Sequence, residues 1–253
     1  MTIERDTLLS YCDGLLNVGA FADYAPNGLQ VEGRTGIGRI VSGVTASQAL
    51  LDAAVEFKAD AVLVHHGYFW KGEDARITGM KRRRLATLLR HDINLIAYHL
   101  PLDGHPTLGN NARWARALGL VDTRGFLGKP GAEIGVRGAL PEAVSGGELA
   151  RMLEILLGRP VLHVAGHDRP IRSLGLCSGG AQGYIGEAAS LGLDAYLTGE
   201  VSEHTVHVAR EMGIHFYACG HHATERFGVR ALGEHLAERF GLEHCFVDID
   251  NPA

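Results

Sequence analysis

Three short apolar runs in this chain each lead into residues that bind metal ions or transfer protons. The runs and their endings are 61–64 before His65-His66, 93–98 before His99, and 214–219 before Gly220-His221-His222. Runs of this length are typical of buried strands. In an α/β sheet the residues that follow the strands converge at one edge, where ligands bind. The sequence therefore predicts one site built from three strand ends.

Strand and helix signals alternate along the chain. Strands are predicted at 40–44, 61–64, 95–98, 133–138 and 161–164, and helices at 8–16, 46–57, 81–91, 110–118 and 145–157. This alternation predicts an α/β fold. Segments 174–181, 194–200 and 215–221 match 40–47, 60–67 and 94–99 in character. We therefore expect two interlinked, internally similar α/β lobes, 1–124 and 125–253, with mixed, largely parallel sheets and the metal site in the cleft between them.

The composition is that of an ordinary soluble protein, with 46% hydrophobic and 21% charged residues among 253. The net charge of −5 does not favour a nucleic-acid partner. The run Lys81-Arg82-Arg83-Arg84 is either a small basic patch or the solvated start of a helix. No apolar stretch reaches the ~18 residues of a membrane span, and no signal peptide is evident at the N-terminus. Four cysteines without a C-x-x-C pair predict reduced thiols in a cytoplasmic protein.

His65-His66 is the first pair of candidate ligands. Neighbouring side chains on a strand point to opposite faces, but the backbone turns at a strand end, so both rings can face one site. The alternative is one buried histidine that is satisfied by a hydrogen bond and one exposed histidine. Gly67 permits unusual backbone angles at the strand exit and favours the functional interpretation.

His99 and Asp103 lie on either side of Pro101. Because proline ends the strand and stiffens the turn, both side chains are presented by a rigid segment. Asp103 is either a metal ligand or an ordinary turn residue. Asn110 is predicted to be the N-cap of the following helix.

The segment from Gly220 to Glu225 is the sharpest motif. If a helix begins here, His221 and Glu225 lie one turn apart on the same face, which commonly forms half of a metal site. The alternative for Glu225 is a favourable interaction with the helix dipole, which leaves the two histidines unexplained. A weaker polar cluster, expected to be a solvated helix face or the lining of a cleft, consists of Glu200, Glu203, His204 and His207.

These motifs resemble those of a known family. The segments that carry the resemblance are 27–31 (NGLQV), 65–73 (HHGYFWKGE), 98–103 (YHLPLD), 109–111 (GNN), 197–200 (LTGE) and 220–226 (GHHATER). Over essentially its whole length the chain resembles the compact form of the GTP cyclohydrolase 1 type 2 family, also called the Ngg-interacting-factor-three-like family. The resemblance implies a toroidal homohexamer of two-lobed α/β subunits.

The resemblance also implies which residues act. It implies a dinuclear centre of two divalent metal ions whose ligands are His65, His66, Asp103, His221 and Glu225. Glu225 is the expected bridging carboxylate. Imidazole and carboxylate ligands suit zinc, iron or manganese. His99 at the rim is the expected catalytic residue for proton transfer.

The activity implied by the resemblance is metal-dependent hydrolysis of GTP, a small-molecule substrate. Metal-activated water would attack C8 of the purine, open the imidazole ring and release formate. Lys71 and Arg226 are either phosphate-binding residues or solvated surface charges. The alternatives are a toroidal metal-binding regulatory protein without GTP turnover, and a metal-dependent hydrolase of phosphoesters or nucleic-acid components, since two metal ions also act on phosphoryl groups.

Overall fold

The chain alternates strands and helices, as its hydrophobic periodicity predicts, in a computed structural model that describes residues 1–253. The strands are β1 (Ile3–Glu4), β2 (Gly28–Val31), β3 (Gly36–Ile37), β4 (Arg39–Thr45), β5 (Ala61–His66), β6 (Asn94–Ala97), β7 (Val121–Lys129), β8 (Ala132–Val144), β9 (Leu162–Val164), β10 (Ile171–Leu176), β11 (Ala195–Thr198), β12 (His215–Ala218) and β13 (Glu243–Phe246). The helices are α1 (Arg5–Leu15), α2 (Gln48–Phe57), α3 (Gly79–His91), α4 (Leu100–Asp103), α5 (Asn110–Ala117), α6 (Gly146–Leu157), α7 (Ile185–Ser190), α8 (Glu203–Met212) and α9 (His221–Phe240). The predicted strands and helices are confirmed, with shifts of a few residues at their ends.

Local hydrogen bonds explain where the clearest helices begin and end. At the start of α6, Ser145 accepts a hydrogen bond from the Glu148 N–H, and the Glu148 carboxylate accepts one from the Ser145 N–H. This reciprocal capping box satisfies backbone donors that a helix start leaves without partners. The helix ends at Gly158, whose positive φ of 72° a glycine adopts without steric cost.

Two compact units make up the chain. The first contains 1–102 and 228–250, and the second contains 103–227 and 251–253. The predicted lobes are 1–124 and an intertwined 125–253, and the bounds of the compact units differ from these because β13 near the C-terminus pairs with β4 and lies in the first unit. No helix is both long enough and apolar enough to span a membrane.

The first unit is built on a five-stranded sheet with the order β13-β4-β5-β6-β2. Three of its pairings are parallel, and only β2 is antiparallel to its neighbour, so the prediction of a largely parallel sheet is confirmed here. Alternate residues of β4, β5 and β6 pack with buried side chains of α2 and α3, such as Leu50 and Leu88. The apolar runs before the histidines are therefore core strands.

The second unit contains a six-stranded sheet with the order β7-β8-β10-β11-β12-β9. Only the β10-β11 and β11-β12 pairings are parallel, and the long hairpin β7-β8 and the edge strand β9 are antiparallel. This sheet is mixed rather than largely parallel. Leu197 and its neighbour Tyr196 belong to different core clusters, so both faces of the sheet are covered.

The parallel strands of the two units repeat the same hydrogen-bonded arrangement. The Asp60 N–H donates to the Arg39 carbonyl at 2.9 Å, and the Asp194 N–H donates to the Ser173 carbonyl at 2.9 Å. Each aspartate carboxylate also accepts two backbone N–H groups near the start of the preceding strand. The internal similarity seen in the sequence is thus a similarity of strand order, register and turn chemistry.

Candidate metal centre

Three histidines meet at the ends of β5 and β6 in the first unit. One ligand atom from each of His65, His66 and His99 lies within 4.8 Å of the others. Their ring centroids are 4.7 Å (His65 to His66), 5.0 Å (His65 to His99) and 5.8 Å (His66 to His99) apart. His65 is fully buried, and His66 is partly exposed. We call these residues the first-unit histidine cluster.

Hydrogen bonds to oxygen fix the orientation of two of these rings. His65 Nδ1 lies 2.9 Å from the Tyr98 carbonyl oxygen. Because a carbonyl only accepts, Nδ1 carries the proton and Nε2 keeps its lone pair. His99 Nδ1 lies 2.9 Å from Asp23 Oδ1, which orients that ring in the same way. Such outer partners are what metal-binding histidines require, since they set the tautomer and raise the basicity of the ligand.

Asp23 holds the His99 segment in place and was predicted only as part of a loop. Its Oδ2 accepts the Leu100 N–H at 2.9 Å and the Asn27 amide at 3.0 Å. Burial raises the pKa of Asp23, but hydrogen bonds from His99 and Asn27 outweigh burial and hold the pKa well below its usual value. Asp23 is therefore a carboxylate at neutral pH.

Gly67 contributes space rather than an unusual backbone angle. It is absent from the residues with positive φ, so the sequence interpretation of its conformation is wrong. A Cβ at this position would collide with the side chain of Gln30, whose Oε1 accepts the Tyr68 N–H at 2.6 Å. The glycine thus lets a neighbouring strand fix the path of the chain after His66.

In the second unit, His221 and Glu225 lie one turn apart at the start of α9, as predicted. His221 Nε2 is 3.2 Å from Glu225 Oε1, and His221 Nδ1 is 2.6 Å from Glu200 Oε1. Burial lowers the pKa of His221, but the bonds and charges of Glu225 and Glu200 outweigh it and raise the pKa to about 9. These two carboxylates therefore favour a positive charge at this position.

Asp103 is buried in the second unit at the end of the short helix α4. Its Oδ1 accepts hydrogen bonds from the Asn110 amide at 2.9 Å and the Ser178 hydroxyl at 3.1 Å. Asn110 is the first residue of α5 rather than its N-cap, which is Gly109. The adjacent Gly179 donates to Thr224, which precedes Glu225. Residues 178–179, which follow β10, thus contact Asp103 itself and the residue that precedes Glu225.

Other candidates have structural or surface roles. His207 forms an exposed pair with Glu203, which agrees with a solvated helix face. Arg226 donates to the Leu157 carbonyl at 2.6 Å, and Lys71 is exposed. All four cysteines are free thiols, and burial raises the pKa of Cys219, so that thiol is not a thiolate nucleophile.

The donor set fits a divalent transition metal. Imidazole nitrogens and carboxylate oxygens are the only ligand types at these positions, a combination that suits zinc, iron or manganese. Within the first unit, the ligand atoms of the histidine cluster converge. Within the second unit, His221 and Glu225 present an imidazole and a carboxylate to each other. The sequence did not single out Asp23 or Ser178 as partners of the site, and Glu200 was expected to belong to a solvated helix face or to the lining of a cleft.

Relatives of this chain match its sequence over nearly the full length of both proteins. A protein from Pseudomonas aeruginosa named GTP cyclohydrolase 1 type 2 homolog is 58% identical over 100% of both chains. A Yersinia pestis protein of the same name is 55% identical over 99% of each chain. The likeness therefore extends over the whole chain and is not confined to the metal-binding motifs.

Solved structures share its fold. Protein ybgI, described as of unknown function, has a TM-score of 0.95 and 52% identity over 99% of this chain and 100% of its own. TTHA1606 from Thermus thermophilus has a TM-score of 0.91 and 36% identity, with the same coverage. The family model Duf34/NIF3 matches residues 3–252. The chain belongs to the Duf34/NIF3 (NGG1p interacting factor 3) family.

Proposed function

We propose that this protein is a dinuclear metal-dependent hydrolase that opens the imidazole ring of GTP. The name shared by its relatives supports the substrate, and the donor set supports the metal ions. The proposed ligands are His65 and His66 from the first unit and Asp103, His221 and Glu225 from the second. A divalent metal ion supplies Lewis acidity, which makes water a nucleophile near neutral pH.

The outer residues have separate tasks in this proposal. Tyr98 and Glu200 accept hydrogen bonds from the far nitrogens of His65 and His221 and hold those rings in their ligand orientation. Asn110 and Ser178 donate hydrogen bonds to Asp103 Oδ1 and so fix the orientation of the Asp103 carboxylate. These contacts hold the ligand side chains in one orientation.

His99 is the proposed proton-transfer residue. His99 Nδ1 is hydrogen-bonded to the Asp23 carboxylate, so Nε2 is the atom that would take or give a proton. The ring is only 6% exposed and lies between Tyr24 and Trp70, at 5.0 Å and 5.1 Å between ring centroids. These aromatic rings hold the imidazole in one position and limit the access of bulk water, which favours directed proton transfer.

The observation that carries the proposal is the convergence of the first-unit histidine cluster at a pair of strand ends. One ligand atom from each of three imidazoles lies within 4.8 Å of the others, and oxygen acceptors orient two of the rings, which is more than ordinary core packing requires. The His221–Glu225 pair supplies the carboxylate that completes a metal-hydrolase donor set.

The test combines metal analysis with turnover. Purified protein is analysed for bound metal and incubated with GTP and with a panel of phosphoesters, and formate is measured. We expect formate release by the native chain and its loss in Glu225→Ala. Glu234→Ala is the matched control, because Glu234 lies on the same helix but is exposed and paired only with Arg230.

Each result separates the alternatives. Formate release that disappears in Glu225→Ala but persists in Glu234→Ala supports the cyclohydrolase. Bound metal with no turnover of any substrate contradicts it and favours a metal-binding regulatory protein. Turnover of phosphoesters without formate contradicts it in favour of a phosphoesterase.

We also propose a homohexamer, which rests on the family resemblance. Light scattering during gel filtration should then give a mass six times the 27.2 kDa of the chain. A mass equal to that of one chain would contradict the hexamer and leave the proposed chemistry untouched.

A further inference from the structure

A cavity of about 680 Å³ lies within the second unit, between α5 and the β7-β8 hairpin. This volume is in the range of ~300–1,000 Å³ that small-molecule sites occupy. Asp103, a proposed metal ligand, lines the cavity together with two arginines, Arg116 and Arg124. The cavity therefore brings a proposed ligand and two exposed arginines to one surface.

The two arginines have no partner in the chain. Neither guanidinium makes an ion pair or a side-chain hydrogen bond, unlike Arg226, which donates to a backbone carbonyl. Arg124 is also directly opposite Arg137 in the β7-β8 register. Like charges in opposite positions on antiparallel strands repel each other, which favours an anion beside them, and Asp122 is the carboxylate of the chain that lines the same surface.

The rest of the lining suits a molecule larger than an inorganic anion. Ala112, Ala115, Leu120 and Val136 provide apolar surface, and Thr107 and Thr123 provide hydroxyl groups. Glu133 is the one carboxylate there besides Asp103. A guanidinium group matches the geometry of phosphate oxygens and binds them through paired, charge-assisted hydrogen bonds.

We propose that this cavity binds the nucleoside polyphosphate substrate, with Arg116 and Arg124 as ligands of its phosphate groups. The proposal rests on the proposed function for the identity of the nucleotide. It assigns the phosphate tail to the arginines and leaves the purine ring for the part of the cavity lined by Asp103. Lys71 and Arg226, the candidates from the sequence, have no phosphate-binding role in this assignment.

Calorimetric titration tests the assignment directly. GTP, guanosine and inorganic tripolyphosphate are titrated into the purified full-length protein and into Arg116→Gln, Arg124→Gln and the double variant. Each single substitution should weaken GTP and tripolyphosphate binding about tenfold, since it removes charge-assisted bonds to phosphate. Guanosine binding should stay within about twofold. Arg210→Gln is the matched control, an exposed arginine on α8 of the same unit, and should change nothing.

Metal content and kinetics separate this proposal from the proposed function. Metal content should be equal in all variants, and the KM for GTP should rise in the arginine variants with little change in kcat. Arginine-dependent GTP binding without formate release would keep the phosphate site and reject the cyclohydrolase. Formate release with an unchanged KM in the double variant would do the reverse. No binding of GTP or tripolyphosphate by the native protein, or equal binding by the double variant, would overturn the phosphate site.

Discussion

Two clusters of three histidines occupy this molecule, and only one has the arrangement of a metal site. The first-unit histidine cluster follows the carboxyl ends of β5 and β6. The second-unit histidine cluster, which we define as His163, His167 and His215, has ring centroids 5.1 Å (His163 to His215) and 4.4 Å (His167 to His215) apart. Histidine count and ring separation are therefore almost the same in the two regions.

The difference lies in what the ring nitrogens face. In the first-unit cluster the outer nitrogens of His65 and His99 contact oxygen acceptors, which leaves the inner nitrogen of His65 for a cation and that of His99 for proton transfer. In the second-unit cluster His163 Nε2 and His215 Nδ1 bond to each other at 2.9 Å, and His163 stacks on Tyr217. His215 is also the first residue of its strand rather than the last. Nearby histidines thus indicate a metal site only when oxygen partners turn their lone pairs towards one point.

The largest expected effect comes from removing one histidine from each cluster. His65→Ala should weaken metal binding by more than about a hundredfold, since losing an outer partner alone typically costs ~10–100-fold. His215→Ala should leave metal affinity unchanged. Metal content after dialysis and competition with a chromophoric chelator measure both. Circular dichroism confirms folding, and His65→Gln serves as a second variant, because His65 is fully buried. Equal metal loss in both variants would remove the distinction between the clusters.

Much of the candidate site could be predicted from sequence, because its histidines directly follow apolar runs. The strand end at His65-His66 and the helix start at His221 have local signals, namely a run of buried residues and a spacing of one turn. Asp23 has none, since it contacts His99 across 76 residues and stands in a loop without periodicity. Glu200 reaches His221 in the same way, across 21 residues.

The sheets show the same limit. The parallel cores were predictable from alternating runs of apolar residues. The place of β13 beside β4 and of β9 beside β12 was not, because pairing between distant strands leaves no trace in local composition. Such a pairing places residues 228–250 in the first unit, so the bounds of the compact units differ from those of the predicted interlinked lobes.

The second expected effect concerns the oxygen partner that only the first-unit cluster has. Asp23→Asn should lower kcat for formate release by ~10–100-fold, because the amide no longer holds the imidazolium of His99 as a carboxylate does. KM and metal content should change little, which distinguishes a positioning role from a loss of folding. Asp52→Asn, an exposed residue on α2, is the control. A fall in metal content with kcat per bound metal unchanged would make Asp23 a structural residue.

The third expected effect is a pH dependence of stability that belongs to the second-unit cluster. Burial, followed by the charges of His167 and His163, lowers the pKa of His215 to about 4, and a hydrogen bond with the His167 backbone and the charge of Asp194 offset this only weakly. In the unfolded chain the pKa is the ordinary 6.5, so the unfolded state binds more protons between these values. The contribution of neutral His215 to the free energy of unfolding is therefore fully present above about pH 6.5 and is lost as the pH falls towards 4.

Urea unfolding at about pH 7.5 and about pH 5 measures this loss. The native chain should lose on the order of 2 kcal/mol more than His215→Gln does between these two pH values. The difference between the two losses cancels the titration of carboxylates that both proteins share. His207→Gln, which removes an exposed histidine, should behave like the native chain. Equal losses in the native chain and His215→Gln would mean that His215 is not held neutral by its surroundings.

The smallest expected effect concerns His66, the least constrained ring of the first-unit cluster. Thr45 Oγ1 lies 3.3 Å from His66 Nδ1, a long contact beside the 2.9 Å bonds of His65 and His99. Thr45→Val keeps the shape of the side chain and removes the hydroxyl, so metal affinity should fall only about threefold, below the usual range for outer partners. Chelator competition resolves a change of this size when Thr87→Val, at a partly exposed threonine on α3, is measured in parallel. A loss as large as that in His65→Ala would show that His66 depends on its outer oxygen as strongly as the buried rings do, and that bond length does not rank these contacts.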